Sequence, residues 1–241
     1  MPKFFAQEGQ IGPGYINIIG PDANHLINVL RAKPGDEIII CDGVGSDYFC
    51  EIDLIDKKGA RAKIIEKKPS LSEPSLRVTL FQALTKSDKF EFIIQKCVEI
   101  GVYEIIPIVT KNTIVKPDLS GKKLERYNKI AESAAKQSGR GIIPKVARYL
   151  DFSEAAASVN NYDRAFVCYE KEGPGGLKGH ISGGYRSACA FIGPEGGFTP
   201  EEIKKLQVGK VEIVSLGARV LRSETAGMVF TSILLYETGD I

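Results

Sequence analysis

Phe191-Ile192-Gly193-Pro194-Glu195-Gly196-Gly197-Phe198-Thr199-Pro200-Glu201-Glu202-Ile203 and, soon after, Leu216-Gly217-Ala218-Arg219-Val220-Leu221-Arg222-Ser223-Glu224-Thr225-Ala226-Gly227 are the stretches on which the fold turns. Each follows an apolar, β-branched run and each leads into a helical pattern. Two strand-to-helix loops side by side on a sheet make a crevice for a small molecule. In the first, Thr199 reads as an N-cap, Pro200 as the first helical residue and Glu202 as the capping-box partner, with Phe198 and Ile203 as a hydrophobic staple. Those local rules leave Gly193 to Gly197 open between a tight turn and a glycine wall that lets a cofactor pack against main chain. The second stretch spends Val220 and Leu221 in a connection, which surface loops seldom do. A loop tucked against the core and an apolar pocket whose amides bind a flat heterocycle both fit it. Ser223 is expected to cap the next helix, with Glu224 favourable in its first turn. Arg219 and Arg222 would stand near the entrance.

Outward from these loops, residues 76–241 alternate strand and helix. Strand-like runs cover 76–84, 103–109, 164–169, 188–192 and 211–216, with a shorter one at 146–149. A helix capped by Ser87 should bury Phe90, Ile93, Ile94, Cys97 and Val98 and stop at Gly101. Another, over 120–138, carries Leu124, Tyr127, Ile130, Ala131 and Ala134 on one face; short helices are expected at 153–159 and 199–206, and a final one at 223–236. This rhythm predicts an α/β domain with a mainly parallel sheet. Residues 1–68 read instead as short strands with frequent turns, suggesting a small β-barrel. They are interrupted by one helix with Asp22 as its cap and Leu26, Val29 and Leu30 as its stripe. Between the two regions, residues 69–75, with two prolines and three serines, read as a linker.

The bulk composition is that of an ordinary globular protein: 241 residues, 43% hydrophobic, 26% charged, net charge +2. Total charge therefore announces no nucleic-acid partner, and any RNA-binding face must be a local patch. The five cysteines, with no C-x-x-C among them, read as buried free thiols in a reducing compartment. With only His25 and His180 besides, no metal site is expected. No signal peptide and no apolar run near the roughly 20 residues of a membrane span are visible, so a cytoplasmic location is expected.

Familiar nucleotide motifs are missing: no G-x-G-x-x-G after an early strand, no Walker A, no G-x-S-x-G. Gly173-Pro174-Gly175-Gly176 lacks a strand–helix frame and reads as a surface turn. Arg140, after a helix, could meet an anion or simply favour the helix C-terminus. Lys3, Arg31, Lys33, Arg61 and Lys63 could make a phosphate-contacting patch or be scattered surface charge.

The two C-terminal loops resemble the signature of the RsmE family, ribosomal RNA small subunit methyltransferases within the SPOUT superfamily. Lys86, the segments Gln95–Val102 and Gln137–Arg140, and His25-Leu26 with Val29-Leu30-Arg31 resemble the family pattern too, so the likeness covers nearly the whole chain. Lys3 departs from it, standing where the family often has arginine, which would lose a bidentate phosphate grip. The resemblance implies a C-terminal SPOUT-type α/β domain with a deep trefoil knot, an N-terminal PUA-like β-barrel that helps bind RNA, and a homodimer. It implies methylation of N3 of a uridine in 16S rRNA, with S-adenosylmethionine held by Ile192, Gly193, Pro194, Gly196, Gly197, Leu216, Gly217, Val220, Leu221 and Ala226. A base must deprotonate N3, or a cation must stabilise the anion. Arg222, Glu224, Glu195 and Glu170 are the candidates in falling order, with Lys3, Arg31, Lys86 and Arg140 as expected RNA contacts. A SPOUT enzyme acting on another RNA nucleoside and a non-catalytic RNA-binding homologue are the alternatives.

Overall fold

A computed structural model describes residues 1–56, 58–118, 120–170 and 184–241. Gly173–Gly176 and His180 lie outside the described residues. The chain divides into two units, Met1–Glu73 with Ala135–Ile143, and Pro74–Ala134 with Pro144–Ile241.

In the first unit β1 (Lys3–Phe5), β2 (Ile11–Gly12), β3 (Tyr15–Ile18), β4 (Glu37–Cys41), β5 (Ser46–Asp56) and β6 (Gly59–Pro69) form one sheet in the order β1-β4-β5-β6-β3-β2. All its pairings are antiparallel except β1 with β4. Irregularities in the β5–β6 pairing at Phe49/Cys50 and Ile52/Leu54 bend the long hairpin. Phe4, Ile16, Ile38, Ile40, Cys50 and Ile52 thereby share one core. The expected early helix is shorter than its stripe implies. α1 (Gly20–Asn24) has Ile19, not Asp22, at its cap and widens into a π turn over His25–Val29. That change of pitch buries Leu26 but leaves Val29 62% and Leu30 44% exposed.

Of residues 69–75, expected as a linker, those up to Glu73 are tied to this unit through Ser70 and Glu73, while Pro74 and Ser75 belong to the second. The Glu73 carboxylate accepts the N–H groups of Gly141 (2.7 Å) and Ile142 (3.0 Å) and pairs with the Arg140 guanidinium. Gly141 passes so close to Ser70 that a Cβ would sit 2.2 Å from the serine side chain. Only glycine fits that crossing.

The second unit holds β7 (Arg77–Ala83), α2 (Ser87–Ile100), β8 (Glu104–Val109), α3 (from Lys122), β9 (Lys145–Val146), β10 (Leu150–Asp151), α4 (Phe152–Ala157), β11 (Arg164–Cys168), β12 (Ser187–Ile192), α5 (Pro200–Val208), β13 (Glu212–Val214) and α6 (Ser223–Glu237). Its sheet runs β10-β8-β7-β12-β11-β13, with β9 also on β8, and every pairing is parallel. Parallel strands need covered faces. α4 and α5 share a core with Phe81, Phe191, Phe198 and Ile203. α2 and α6 pack together, burying the five α2 side chains expected from the sequence. The first strand of the unit lies at the centre, and the chain builds outward from it first toward β8, then toward β12 and β11. Such a reversal opens a crevice at the carboxyl ends of the strands.

Candidate functional site

The crevice lies where β11, β12 and β13 end. It encloses about 540 Å³ of space, open solvent included, between Cys168–Glu170, the Ile192–Phe198 loop, the Ser215–Leu221 loop and the start of α6.

The first wall is built by local rules and then fastened from afar. Thr199 Oγ1 accepts the Glu202 N–H (3.3 Å) and Glu202 accepts the Thr199 N–H (2.8 Å), completing the expected capping box. The other Glu202 oxygen accepts the Lys111 N–H at 2.9 Å. Gly197 donates its N–H to the Pro194 carbonyl (2.9 Å) with φ +66, so the glycine stretch is a tight turn as well as a wall. A side chain at Gly197 would be strained by that φ and would crowd a Glu170 oxygen at 3.2 Å. Asn112 donates to the carbonyls of Gly196 and Gly197, both at 3.0 Å.

Ser223 does not cap α6 with its side chain as expected; Arg222 occupies the cap. The Ser223 hydroxyl instead donates to the Gly193 carbonyl (2.6 Å) and accepts from Gln82 Nε2 (2.9 Å). This relay joins β7, the first loop and α6. The second loop is lightly held. Its side-chain hydrogen bonds, among the described residues, link the Ser215 hydroxyl to the Gly217 main chain.

Of the residues expected to hold a cofactor, Ile192, Gly193, Pro194, Gly197, Leu216, Gly217, Leu221 and Ala226 line the crevice. Gly196 and Val220 do not; Val220 is 78% exposed. Cys168, Tyr169, Phe198, Ser215 and Ser223 also line it, beyond the expected cofactor set. Burial pushes the Cys168 thiol well up, so it serves as uncharged wall. Glu170 and Arg219 line the crevice too.

The three leading catalytic candidates lie beside the lining rather than in it. Glu195 follows Pro194 and Glu224 follows Ser223, and Lys89 on α2 stands between their carboxylates. Its Nζ is 3.1 Å from Glu195 Oε1 and 3.9 Å from Glu224 Oε1. Partial desolvation is the largest single influence on Glu195 and raises its pKa. It is outweighed by the residue's own N–H, the Lys89 hydrogen bond and the charges of Lys89 and Lys86, which hold the carboxyl below the usual range. Glu224 Oε2 is buried with no hydrogen-bond partner among the described residues. Arg222 is exposed.

The expected RNA contacts separate. Arg31 and Lys86 are exposed. Lys3 and Arg140 turn inward instead. Lys3 Nζ is 2.8 Å from the Asp47 carboxylate and donates to Ser70 Oγ and the Gly139 carbonyl, which uses all three of its donors. Arg140 is 3% exposed and paired with Glu73. Both ion pairs are shielded from water and hold the first unit together, so neither cation is presented to a phosphate. In the patch considered from the sequence, Arg61 is paired with Asp53 at 2.8 Å.

Comparison with known proteins shows the family. The model of the RNA methyltransferase domain matches residues 72–235, and that of the RNA methyltransferase PUA domain matches residues 18–65. The chain is 33% identical to ribosomal RNA small subunit methyltransferase E of Bacillus subtilis (strain 168), over 92% of this chain and 90% of that one. It is 35% identical to the protein of the same name from Mesomycoplasma hyopneumoniae (strain 232), over 95% and 96%. The crystal structure of ribosomal RNA small subunit methyltransferase E from Neisseria gonorrhoeae bound to S-adenosyl methionine superposes with a TM-score of 0.85, at 29% identity and 98% coverage of both chains.

Proposed function

From its membership of the ribosomal RNA small subunit methyltransferase E family, we propose that this chain methylates N3 of a specific uridine in 16S rRNA, using the crevice at the ends of β11, β12 and β13. The chain is an S-adenosylmethionine-dependent rRNA methyltransferase. The observation that carries the assignment to this crevice is its construction. Main chain at Gly193 and Gly197 forms one side, where a Cβ at Gly197 would intrude, and Ile192, Leu216 and Leu221 supply aliphatic walls. Those surfaces suit a flat heterocycle with a short polar tail.

When bound, S-adenosylmethionine supplies an electrophilic methyl group. The protein's own residues must hold uridine N3 in line with it and deal with the N3 proton. The Glu224 carboxylate, with a buried oxygen lacking a donor, is suited to accept that proton. Arg222 is suited to stabilise the charge left on the uracil oxygens. Glu195 keeps its negative charge beside them. Arg31 and Lys86 are the remaining phosphate contacts, and the PUA-like first unit is the natural RNA-guiding surface.

The trefoil knot and the homodimer belong to the same reading. The return of the chain from edge strand β13 to α6, which packs on α2, β7 and β12, supports the first. Exposed Phe92 on α2 and Tyr236 on α6 support the second. A cytoplasmic location fits a ribosomal substrate, and no described helix is long and apolar enough to cross a membrane.

The test is to map N3-methyluridine in 16S rRNA from cells lacking the gene. Loss of one modified position, restored by the wild-type copy but not by Glu224→Gln, is expected. An unchanged modification pattern in the deletion strain defeats the substrate assignment.

A further inference from the structure

The geometry points to Lys89 as a positioning residue for methyl transfer, a cation that holds Glu195 and Glu224 side by side and leaves Glu224 Oε2 free for the incoming N–H of the nucleobase. This rests on the reading of Glu224 as the proton acceptor.

Lys89 occupies the third position of α2, within the first turn. A cation there opposes the positive end of the helix dipole, where aspartate or glutamate is favoured. A residue that breaks a local rule without local compensation marks a functional or strained site. Asp88 supplies the acidic residue of that turn, and the carboxylates that face Lys89 come from two other elements. Glu195 stands in the loop after β12, and Glu224 in the first turn of α6. Two carboxylates gathered around one point repel each other unless a cation lies between them. Lys89 supplies it, and the lowered pKa of Glu195 is consistent with that placement.

The division of labour follows from the distances. Lys89 donates to Glu195 at 3.1 Å, a hydrogen bond that anchors the ammonium group. Its approach to Glu224 at 3.9 Å is an ion pair without a hydrogen bond. One Glu224 oxygen thus faces the cation, while the other is buried and unpartnered among the described residues. An unpartnered buried carboxylate oxygen is costly. A donor that reached this oxygen would relieve that cost, and the imide N–H of uracil is a donor of the right kind.

The experiment measures single-turnover methyl transfer from radiolabelled S-adenosylmethionine to small ribosomal subunits lacking the modification. The variants are Lys89→Met, Lys89→Gln, Lys89→Arg, Glu224→Gln and the double variant Lys89→Met/Glu224→Gln, with cofactor affinity measured by calorimetry. Lys89→Met and Lys89→Gln are expected to slow transfer by about 30-fold, less than the roughly 10²–10⁴-fold for losing the acid–base group itself, because Lys89 acts through Glu224. Cofactor Kd should stay within about twofold, since Lys89 lies outside the crevice lining. Lys89→Arg should recover most of the rate, and the double variant should be no slower than Glu224→Gln alone, because both changes disable one unit. A wild-type rate in Lys89→Met and Lys89→Gln, or a double variant slower by the product of the two single effects, overturns the proposal. Full activity in Glu224→Gln would remove the proton-acceptor reading itself, and the role of Lys89 with it; that result is recognisable because it is the only one in which Glu224→Gln is fast.

Discussion

The two loops that form the crevice are held in opposite ways. The Gly193–Phe198 loop is fixed from four directions: its internal turn, Asn112, the capping box behind it and the Ser223 hydroxyl. Among the described residues, the side-chain hydrogen bonds of the Ser215–Arg222 loop are those of Ser215 to Gly217, and Gly217 to Val220 are exposed. One wall is thus built before any ligand arrives, whereas the other is free to adjust around it. Preorganised groups supply binding and orientation at little ordering cost, and adjustable ones admit and release the ligand.

Substitutions can break or sharpen that contrast. The largest effect is expected at the end of the lightly tied wall, where Arg222→Ala should lower the rate of methyl transfer by about 10²–10³, the range for losing one donor to developing charge. Its melting temperature should be nearly unchanged, because the side chain is exposed. Rate and thermal melt together decide this, and a fast enzyme would strip Arg222 of its role. Next, Gly197→Val puts a β-branched residue at φ +66 against Glu170. A loss of about 1–3 kcal/mol in denaturant unfolding is expected, with a drop in cofactor affinity by calorimetry. Unchanged affinity would mean that the fixed loop is not the cofactor wall. Ser223→Ala cuts the relay between Gln82 and Gly193 and leaves a buried amide donor without its acceptor. A cost of about 1–3 kcal/mol is expected, measured the same way. Smallest is Val220→Ser in the exposed second loop. Its stability should change by less than about 0.5 kcal/mol, while a two- to fivefold rise in cofactor Kd, about 0.4–1 kcal/mol, would show the loop closing on the ligand.

What the sequence disclosed was what neighbours decide. The Thr199–Glu202 box and the five-residue buried face of α2 depend on spacings of three and four residues, and both stand as read. What it hid depends on partners far along the chain. Lys89 and Glu195 are 106 residues apart, so nothing local to the start of α2 marks that lysine. Lys3 and Arg140 looked like phosphate contacts because Asp47 and Glu73, which engage them, lie 44 and 67 positions away. The Val29–Leu30 stripe misled for another reason. Periodicity assumes constant pitch, and the π turn after Asn24 breaks it.

The tie between Glu73 and Arg140 also bears on biosynthesis. During translation the amino-terminal sheet leaves the ribosome long before Ala135–Ile143 does, and until then Glu73 waits in water with neither its guanidinium nor its two amides. The opening part of the polypeptide therefore cannot finish assembling as a self-sufficient unit while the remainder is still being made, although domains commonly do so from the amino end. Its completion is deferred until more than half of the protein has been synthesised, and a truncated gene product ending at residue 73 would lack the strap that closes it.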